Sequence, residues 1–139
     1  MKRTAKCCCK QTTIEIEGDP SLHGVCHCDN CKRRTGSAFG MCAWVSDVQI
    51  INKTGETYVY EKTSQFGDQK RFFCKNCGTT LYWTLGIWPD VTGIAGGCFV
   101  DPLPEPTVHV VQGGYVHPWI KLPEHWDTKN EVDGVGVIV

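Results

Sequence analysis

The feature that most constrains this chain is a group of three cysteines within six residues. Cys26, Cys28 and Cys31 stand in the segment Gly-Val-Cys-His-Cys-Asp-Asn-Cys. A tetrahedral zinc ion takes four donors, so this spacing supplies three thiolates from one tight turn. Water, a substrate or a more distant residue then takes the fourth position. Whether that position is open separates a catalytic metal site from a structural one.

Four further cysteines form two pairs with the spacing of metal ligands. Cys7 and Cys9 make a CxC pair, and Cys74 and Cys77 make a CxxC pair. On an extended strand the first pair would share a face, with the cysteine between them pointing away. Together the two pairs complete a closed site of four thiolates, the arrangement of a structural zinc. The alternative is four buried thiols without a metal.

The three-cysteine group also admits a second interpretation. It becomes another closed structural zinc site if one more residue donates, and the candidates for that donor are His23, His27, Cys42 and Cys98. An intermediate case is a metal that is held loosely and exchanges. Otherwise we expect Cys42, Cys98 and Cys8 to be small buried hydrophobic residues.

Length and composition limit the class of protein. The 139 residues predict one domain over residues 1–139, with a core at about 5–126. The chain has ten cysteines and starts Met-Lys-Arg-Thr without the apolar stretch of a signal peptide, so we expect a cytoplasmic protein with free or metal-bound thiols. No apolar run approaches a membrane helix of about 18 residues. A net charge of −1 with scattered Lys and Arg disfavours a nucleic-acid partner.

Short β-rich segments separated by Gly, Asp and Pro predict a mainly β fold of coiled sheets or an irregular sandwich. The predicted strands lie at about residues 12–17, 38–44, 49–52, 57–62, 70–74, 80–84, 93–100 and 107–111. Helix is limited to a turn after Cys31 and another at 123–126. The tail at about 127–139 has no assigned role; its residues 130–139 read equally as an edge strand, a frayed terminus or a vector-derived remnant.

The order of the motifs is similar to that of a known family. After the CxC pair come Cys-His-Cys-Asp-Asn-Cys-Lys-Arg-Arg-Thr-Gly-Ser-Ala-Phe, ending at Phe39, and Phe-Cys-Lys-Asn-Cys-Gly-Thr-Thr-Leu-Tyr, ending at Tyr82. Over residues 5 to 126 the chain resembles the glutathione-dependent formaldehyde-activating enzymes, the GFA/CENP-V family. The resemblance implies an Mss4-like arrangement of several coiled antiparallel sheets with zinc-binding knuckles and little helix.

The resemblance also implies cofactors and an activity. It implies two zinc ions per chain, one structural on Cys7, Cys9, Cys74 and Cys77, and one catalytic and labile on Cys26, Cys28 and Cys31. The implied activity is a carbon–sulfur lyase like S-(hydroxymethyl)glutathione synthase, which joins glutathione to formaldehyde or a related aldehyde. The chain departs from the family where Lys6 and Lys10 flank the CxC pair, because members usually have Gly there.

Polar residues around the three cysteines are candidates for substrate handling. His27, His23 and Asp29 are candidate proton-transfer residues, and the competing interpretation of His27 is a solvent-facing spacer. Arg33 and Arg34 follow the cysteines and suit the carboxylates of glutathione. Their competing interpretation is that they offset the negative charge of a metal–thiolate cluster.

Two other functions compete with the lyase. One is a non-catalytic binding module stabilised by zinc, which a closed three-cysteine site would favour. The other is a redox or metal-handling thiol protein, which ten cysteines permit. The expected partners are a small thiol such as glutathione and an aldehyde, and the sequence leaves open whether the protein is a homodimer.

Overall fold

Short strands make up most of the structure, a computed structural model that describes residues 1–64, 67–111 and 114–129. The strands are β1 (Lys2–Lys6), β2 (Thr13–Glu17), β3 (Leu22–Cys26), β4 (Gly40–Ser46), β5 (Ile50–Thr54), β6 (Thr57–Ser64), β7 (Gly67–Cys74), β8 (Thr80–Leu85), β9 (Trp88–Ala95), β10 (Val108–Val110) and β11 (Asp127–Lys129). One α-helix, α1 (Asp29–Thr35), and two 3₁₀ turns, Asp47–Gln49 and Gly96–Cys98, complete the described elements. The predicted tail segment 130–139 lies outside the described residues.

The strands form two sheets. A three-stranded antiparallel sheet has the order β1-β2-β5, and an eight-stranded sheet has the order β11-β10-β3-β4-β9-β8-β7-β6. In the described part of the larger sheet, β10 departs from antiparallel pairing and runs parallel to both β3 and β11. The predicted mainly β architecture with little helix is confirmed.

Several local predictions need correction. The segment predicted as a strand at 93–100 divides into the end of β9 and the 3₁₀ turn Gly96–Cys98, so Cys98 lies outside any strand. The segment 123–126, predicted as a helical turn, forms a hydrogen-bonded turn and no helix: the Trp126 amide donates to the Pro123 carbonyl. The strands β1, β3 and β11 were missed, because pairing with distant strands rather than local pattern stabilises them.

The faces of the larger sheet have different partners. Ala43 and Val45 of β4 pack in a fully buried cluster with Ile14 and Ile16 of the smaller sheet. Cys42 and Trp44, which alternate with them along β4, belong to a second buried cluster that contains the three-cysteine group. The smaller sheet therefore covers one face of the larger sheet, and the candidate site lies on the other.

Helix α1 begins inside the three-cysteine group. Cys28 is its N-cap, and the Cys28 sulfur accepts the Cys31 backbone N–H at 3.3 Å. Gly36 ends the helix with a positive φ of 65°, the left-handed conformation that glycine adopts without strain. The helix thus starts two residues before Cys31, earlier than the turn predicted after it.

No helix among residues 1–64, 67–111 and 114–129 has both the length and the apolar character needed to cross a membrane.

Close packing of Gly93 against an indole provides a test of this core. A Cβ atom at Gly93 would lie 2.2 Å from Nε1 of Trp83, a buried side chain that joins the cluster under the three cysteines. We expect Gly93→Ala to lower the free energy of unfolding by about 2 kcal/mol or more, because overpacking forces backbone and rings apart. Urea denaturation followed by tryptophan fluorescence measures the change.

The matched control is Gly97→Ala, because a Cβ atom there meets nothing within 4 Å. It should change the free energy of unfolding by less than about 0.5 kcal/mol. Equal losses in the two variants would contradict the packing described for Gly93.

Candidate metal centres

The first cluster joins two cysteine pairs that are distant in sequence. The sulfur atoms of Cys7, Cys9, Cys74 and Cys77 all lie within 4.8 Å of one another. Cys9 Sγ is 3.6 Å from both Cys7 Sγ and Cys74 Sγ. Zinc–sulfur bonds of about 2.3 Å in a tetrahedron place sulfurs about 3.8 Å apart, so the cluster fits such an ion.

A turn, rather than an extended strand, brings the first pair together. Strand β1 ends at Lys6, and the Lys10 amide then donates to the Cys7 carbonyl at 3.0 Å. Lys10 has a φ of 68°, in the left-handed region that glycine adopts without strain. The prediction of an extended CxC pair is wrong. Cys8 is exposed, so its predicted burial is wrong as well.

The second pair is held by a tight turn and by groups that donate to sulfur. The Gly78 amide donates to the Cys74 carbonyl at 2.9 Å. Hydrogen bonding by Thr79 lowers the pKa of the Cys77 thiol to about 5, whereas burial raises the pKa of Cys7 to about 11. Without a metal these thiols therefore ionise very differently, and a bound cation would favour the thiolate form of all of them.

The second cluster is the three-cysteine group. The sulfur atoms of Cys26, Cys28 and Cys31 lie within 4.8 Å of one another, and the three residues are 0%, 6% and 4% exposed. Cys26 ends β3, Cys28 caps α1, and Cys31 lies in the first turn of that helix. Three clustered thiols that lack disulfide partners fit a metal ion with three protein ligands.

The described residues add no fourth His, Cys, Asp or Glu atom within 4.8 Å of all three sulfurs. The Cys42 thiol interacts with Cys31 of this group. The hydrogen bond with Cys31, together with burial, raises the pKa of Cys42 well above its usual value. His23 directs Nδ1 to the Pro104 carbonyl, at 2.8 Å. Cys98 is half-buried rather than fully buried as predicted.

The thiols of the three-cysteine group differ in acidity. Hydrogen bonds from Cys26 and Cys28, with a smaller contribution from the positive charge of Arg34, hold the pKa of Cys31 well below its usual value. Hydrogen bonding with Cys28, together with burial, raises the pKa of Cys26. The positive charge of Arg34 thus favours the thiolate form of Cys31.

Arg34 lies beside Cys31 of the three-cysteine group. Its guanidinium carbon is 4.3 Å from the centroid of the Trp83 ring. Its Nη2 passes close to Gly40, where a Cβ atom would lie 2.6 Å from Nη2 and 3.2 Å from Cys31 Cβ. Arg33, by contrast, is exposed on α1. The two predicted substrate residues therefore occupy different environments.

Arg34 also borders a cavity of about 430 Å³ that extends to the residues following the Cys74–Cys77 pair. Phe39 lines it on the side of the three-cysteine group, and Gly78 and Thr79 line it on the side of the Cys74–Cys77 turn. Cys98 completes one wall. The cavity therefore lies between the end of α1 and the residues following the Cys74–Cys77 pair, with part of the Arg34 side chain in its wall.

His27 is buried, so its interpretation as a solvent-facing spacer is wrong. Its ring is 5.5 Å from the rings of Phe39 and His109, and both ring nitrogens lack a hydrogen-bond partner among the described residues. Burial, with help from the neighbouring His109 and Lys32, lowers the pKa of His27 to about 4. The imidazole is neutral at pH 7.

Sequence reasoning missed the contacts that Arg71 and Lys62 make with the segment that carries the three cysteines. Arg71 and Lys62 both donate to the side-chain oxygen of Asn30, which stands between two of the cysteines. Tyr115 places its ring 3.3 Å from the Lys32 ammonium nitrogen. No spacing rule links Arg71 and Lys62 to the motif, because they lie on the β6–β7 hairpin, which tertiary packing brings against α1.

Comparisons with known proteins agree with this architecture. A crystal structure of a Rhodobacter sphaeroides protein matches with a TM-score of 0.58 and 20% identity, covering 73% of this chain and 91% of that chain. An uncharacterized lyase from Schizosaccharomyces pombe is 35% identical over 78 residues, which are 55% of this chain and 53% of the yeast protein. The chain thus spans about half the length of that curated relative.

The family comparison covers most of the chain. Residues 2–113 match the model of the glutathione-dependent formaldehyde-activating enzyme family. This range includes both cysteine clusters and all strands from β1 to β10. The chain therefore belongs to the glutathione-dependent formaldehyde-activating enzyme family.

Proposed function

We propose that this protein is a zinc-dependent carbon–sulfur lyase that joins the thiol of glutathione to formaldehyde or a related aldehyde, and catalyses the reverse reaction. The observation that carries the proposal is the buried three-cysteine group, to which the described residues contribute no fourth ligand. Family membership and the lyase named among its relatives support the same class of reaction. A non-catalytic module stabilised by zinc would need a fourth protein ligand at this group, because structural zinc sites have four protein ligands.

The reaction forms a carbon–sulfur bond and an O–H bond, breaks the S–H bond and the carbonyl π bond, and needs no change of redox state. The sulfur of the thiolate attacks the aldehyde carbon, and the electron pair of the carbonyl π bond moves to oxygen. The proton lost by the thiol ends on that oxygen, which gives a hydroxymethyl thioether. The reverse reaction returns the proton to sulfur as the carbon–sulfur bond breaks.

The two clusters have different roles in this proposal. Cys26, Cys28 and Cys31 hold the catalytic zinc, and the four-cysteine cluster holds the structural zinc. A zinc ion bound by three thiolates supplies a soft Lewis acid that favours sulfur as its remaining ligand and lowers the pKa of a substrate thiol. The four-cysteine cluster stabilises the fold, because it joins the end of β1 to the β7–β8 connection.

Protein side chains supply charge and a proton-holding group. Arg34 offsets negative charge beside Cys31, and the exposed Arg33 is available to a substrate carboxylate. Of the three candidate proton-transfer residues, His27 is buried with both ring nitrogens unpartnered among the described residues, whereas Asp29 is exposed. We assign His27 the hydrogen bond to the product oxygen.

Paired cysteine substitutions separate the two roles. We expect Cys28→Ala to reduce lyase activity at least 100-fold while the protein stays folded, because the remaining thiols no longer complete the catalytic site. Cys77→Ala should lower the free energy of unfolding by several kcal/mol, because it opens the cluster that joins distant parts of the chain. Zinc content by elemental analysis and urea denaturation measure the two effects.

Each variant serves as the control for the other. Wild-type protein should carry two zinc ions and folded Cys28→Ala fewer. A Cys28→Ala protein that retains both zinc ions and full activity would contradict the assignment of the three-cysteine group.

Exchange-resolved NMR tests the reaction itself. We expect the protein to accelerate interconversion of glutathione plus formaldehyde with S-hydroxymethylglutathione above the spontaneous rate, and Cys28→Ala to abolish the acceleration. The protein-free mixture at the same pH is the control, since this reaction also proceeds without an enzyme. Exchange at the spontaneous rate with both clusters loaded with zinc would refute the formaldehyde reaction and leave the cysteine sites in place.

A further inference from the structure

Two cations from the β6–β7 hairpin converge on the segment that carries the three cysteines. Arg71 donates from Nη2 to Asn30 Oδ1 at 2.5 Å, and Lys62 donates from Nζ to the same oxygen at 3.3 Å. Asn30 is in the first turn of α1, between Cys28 and Cys31. A single neutral oxygen therefore holds two positive side chains at the edge of the candidate active site.

The hairpin register places these cations on one face. Tyr60 pairs with Arg71 and Lys62 pairs with Gln69, so the side chains of all four residues point to the same side of the hairpin. The Arg71 guanidinium lies 5.6 Å from the Tyr60 ring centroid and also donates to Gln69 Oε1 at 3.2 Å. Neutral groups thus hold Arg71 in a fixed position.

These cations lack a counter-ion within the described residues. No ion pair there involves Lys62, Arg71 or Arg34. Arg71 Nε and Arg34 Nη2 are both buried, and neither has a hydrogen-bond partner among the residues that the structure describes. A buried donor without an acceptor costs free energy, so both groups have unused capacity for an anionic ligand.

The two guanidinium groups are also electrostatic neighbours. Burial, and then the positive charge of Arg34, lower the pKa of Arg71, while the negative charges of Cys31 and Cys28 act in the opposite direction. Arg71 is the cross-strand neighbour of Trp83, whose ring centroid lies 4.3 Å from the Arg34 guanidinium carbon. The hydrogen bond of Arg71 to Asn30 places it beside the segment of the three cysteines as well. A ligand with a sulfur atom and a carboxylate can meet both features at once.

We propose that Arg71, Lys62 and Arg34 form a carboxylate-binding site beside the three-cysteine group, which selects acidic thiols over neutral ones. A guanidinium pairs with a carboxylate through two parallel hydrogen bonds, and partial burial strengthens such a pair. The inference builds on the proposed function because the thiol substrate brings the carboxylate to the site. It adds two residues from the β6–β7 hairpin to the predicted arginines of α1.

Binding of S-methylglutathione tests the site without the reaction, because the methyl group blocks the thiol. We expect Arg71→Met to weaken binding about 10-fold or more by isothermal titration calorimetry, the loss typical of a charge-assisted hydrogen bond. Lys62→Met should weaken binding several-fold, and it keeps the test valid if loss of the Arg71–Asn30 bond unfolds the protein.

Lys70→Met is the matched control. Lys70 lies on the same strand with its side chain on the opposite face, where its ammonium nitrogen is 3.7 Å from a Glu61 carboxylate oxygen. Its substitution should leave the affinity unchanged. Equal weakening in all three variants would overturn the site, because it would reflect general charge rather than a specific contact.

A neutral ligand separates recognition from support of the fold. The dimethyl ester of S-methylglutathione lacks both carboxylates, so it should bind weakly to wild type and to Arg71→Met alike. A variant that loses affinity for the ester as much as for the acid would show a structural role for Arg71. Unchanged affinity for the acid in both Arg71→Met and Lys62→Met would also overturn the proposal.

The experiments distinguish failure of the proposed formaldehyde reaction from failure of the proposed carboxylate site. Wild type that binds S-methylglutathione through Arg71 but gives no exchange acceleration would keep the carboxylate site and refute the formaldehyde reaction. Wild type that accelerates exchange, with an unchanged KM for glutathione in Arg71→Met and Lys62→Met, would keep the reaction and refute the site.

Discussion

The fold depends on the contact of two cysteine pairs across a long stretch of chain. Cys9 and Cys74 are 65 residues apart, yet their sulfurs lie at 3.6 Å. The contact joins the end of β1, in the smaller sheet, to the end of β7, in the larger one. Apolar burial favours contact between the sheets without specifying a direction, whereas metal–thiolate bonds are directional. A metal at this cluster would therefore set the relative position of the sheets.

Strand β4 connects the smaller sheet to the candidate active site. Its alternate residues pack into the smaller sheet on one side and under the three cysteines on the other. Trp83 packs against Gly93, and its ring contacts the Arg34 guanidinium. The polar site thus rests on close-packed side chains, which limits how far its charges can move apart. This support explains how Arg34 stays beside Cys31 although α1 has only seven residues.

Residue spacing predicted the sites better than their surroundings. Each cysteine pair or triplet lies on a short local segment, so its spacing alone predicted both clusters, and most strands were found within a few residues of the predicted positions. The contacts of Asn30 with Arg71 and Lys62 were unpredictable, because they depend on where the hairpin docks. The burial of His27 was unpredictable for the same reason, because tertiary packing overrode the local pattern. The left-handed φ of Lys10, by contrast, belongs to a local turn that the cysteine spacing did not indicate.

The parallel strand β10 has a consequence for the order of folding. It pairs with β3, far earlier in the chain, and the Val110 carbonyl accepts the amide of His27 within the three-cysteine segment at 2.8 Å. Contacts between such distant segments close large loops and form late, whereas neighbouring antiparallel strands pair early. We expect the antiparallel pairing of β3 with β4, its neighbour in the chain, to form while the three-cysteine segment still lacks this backbone partner. The reactive thiols would then be enclosed last, after the scaffold that carries them has formed.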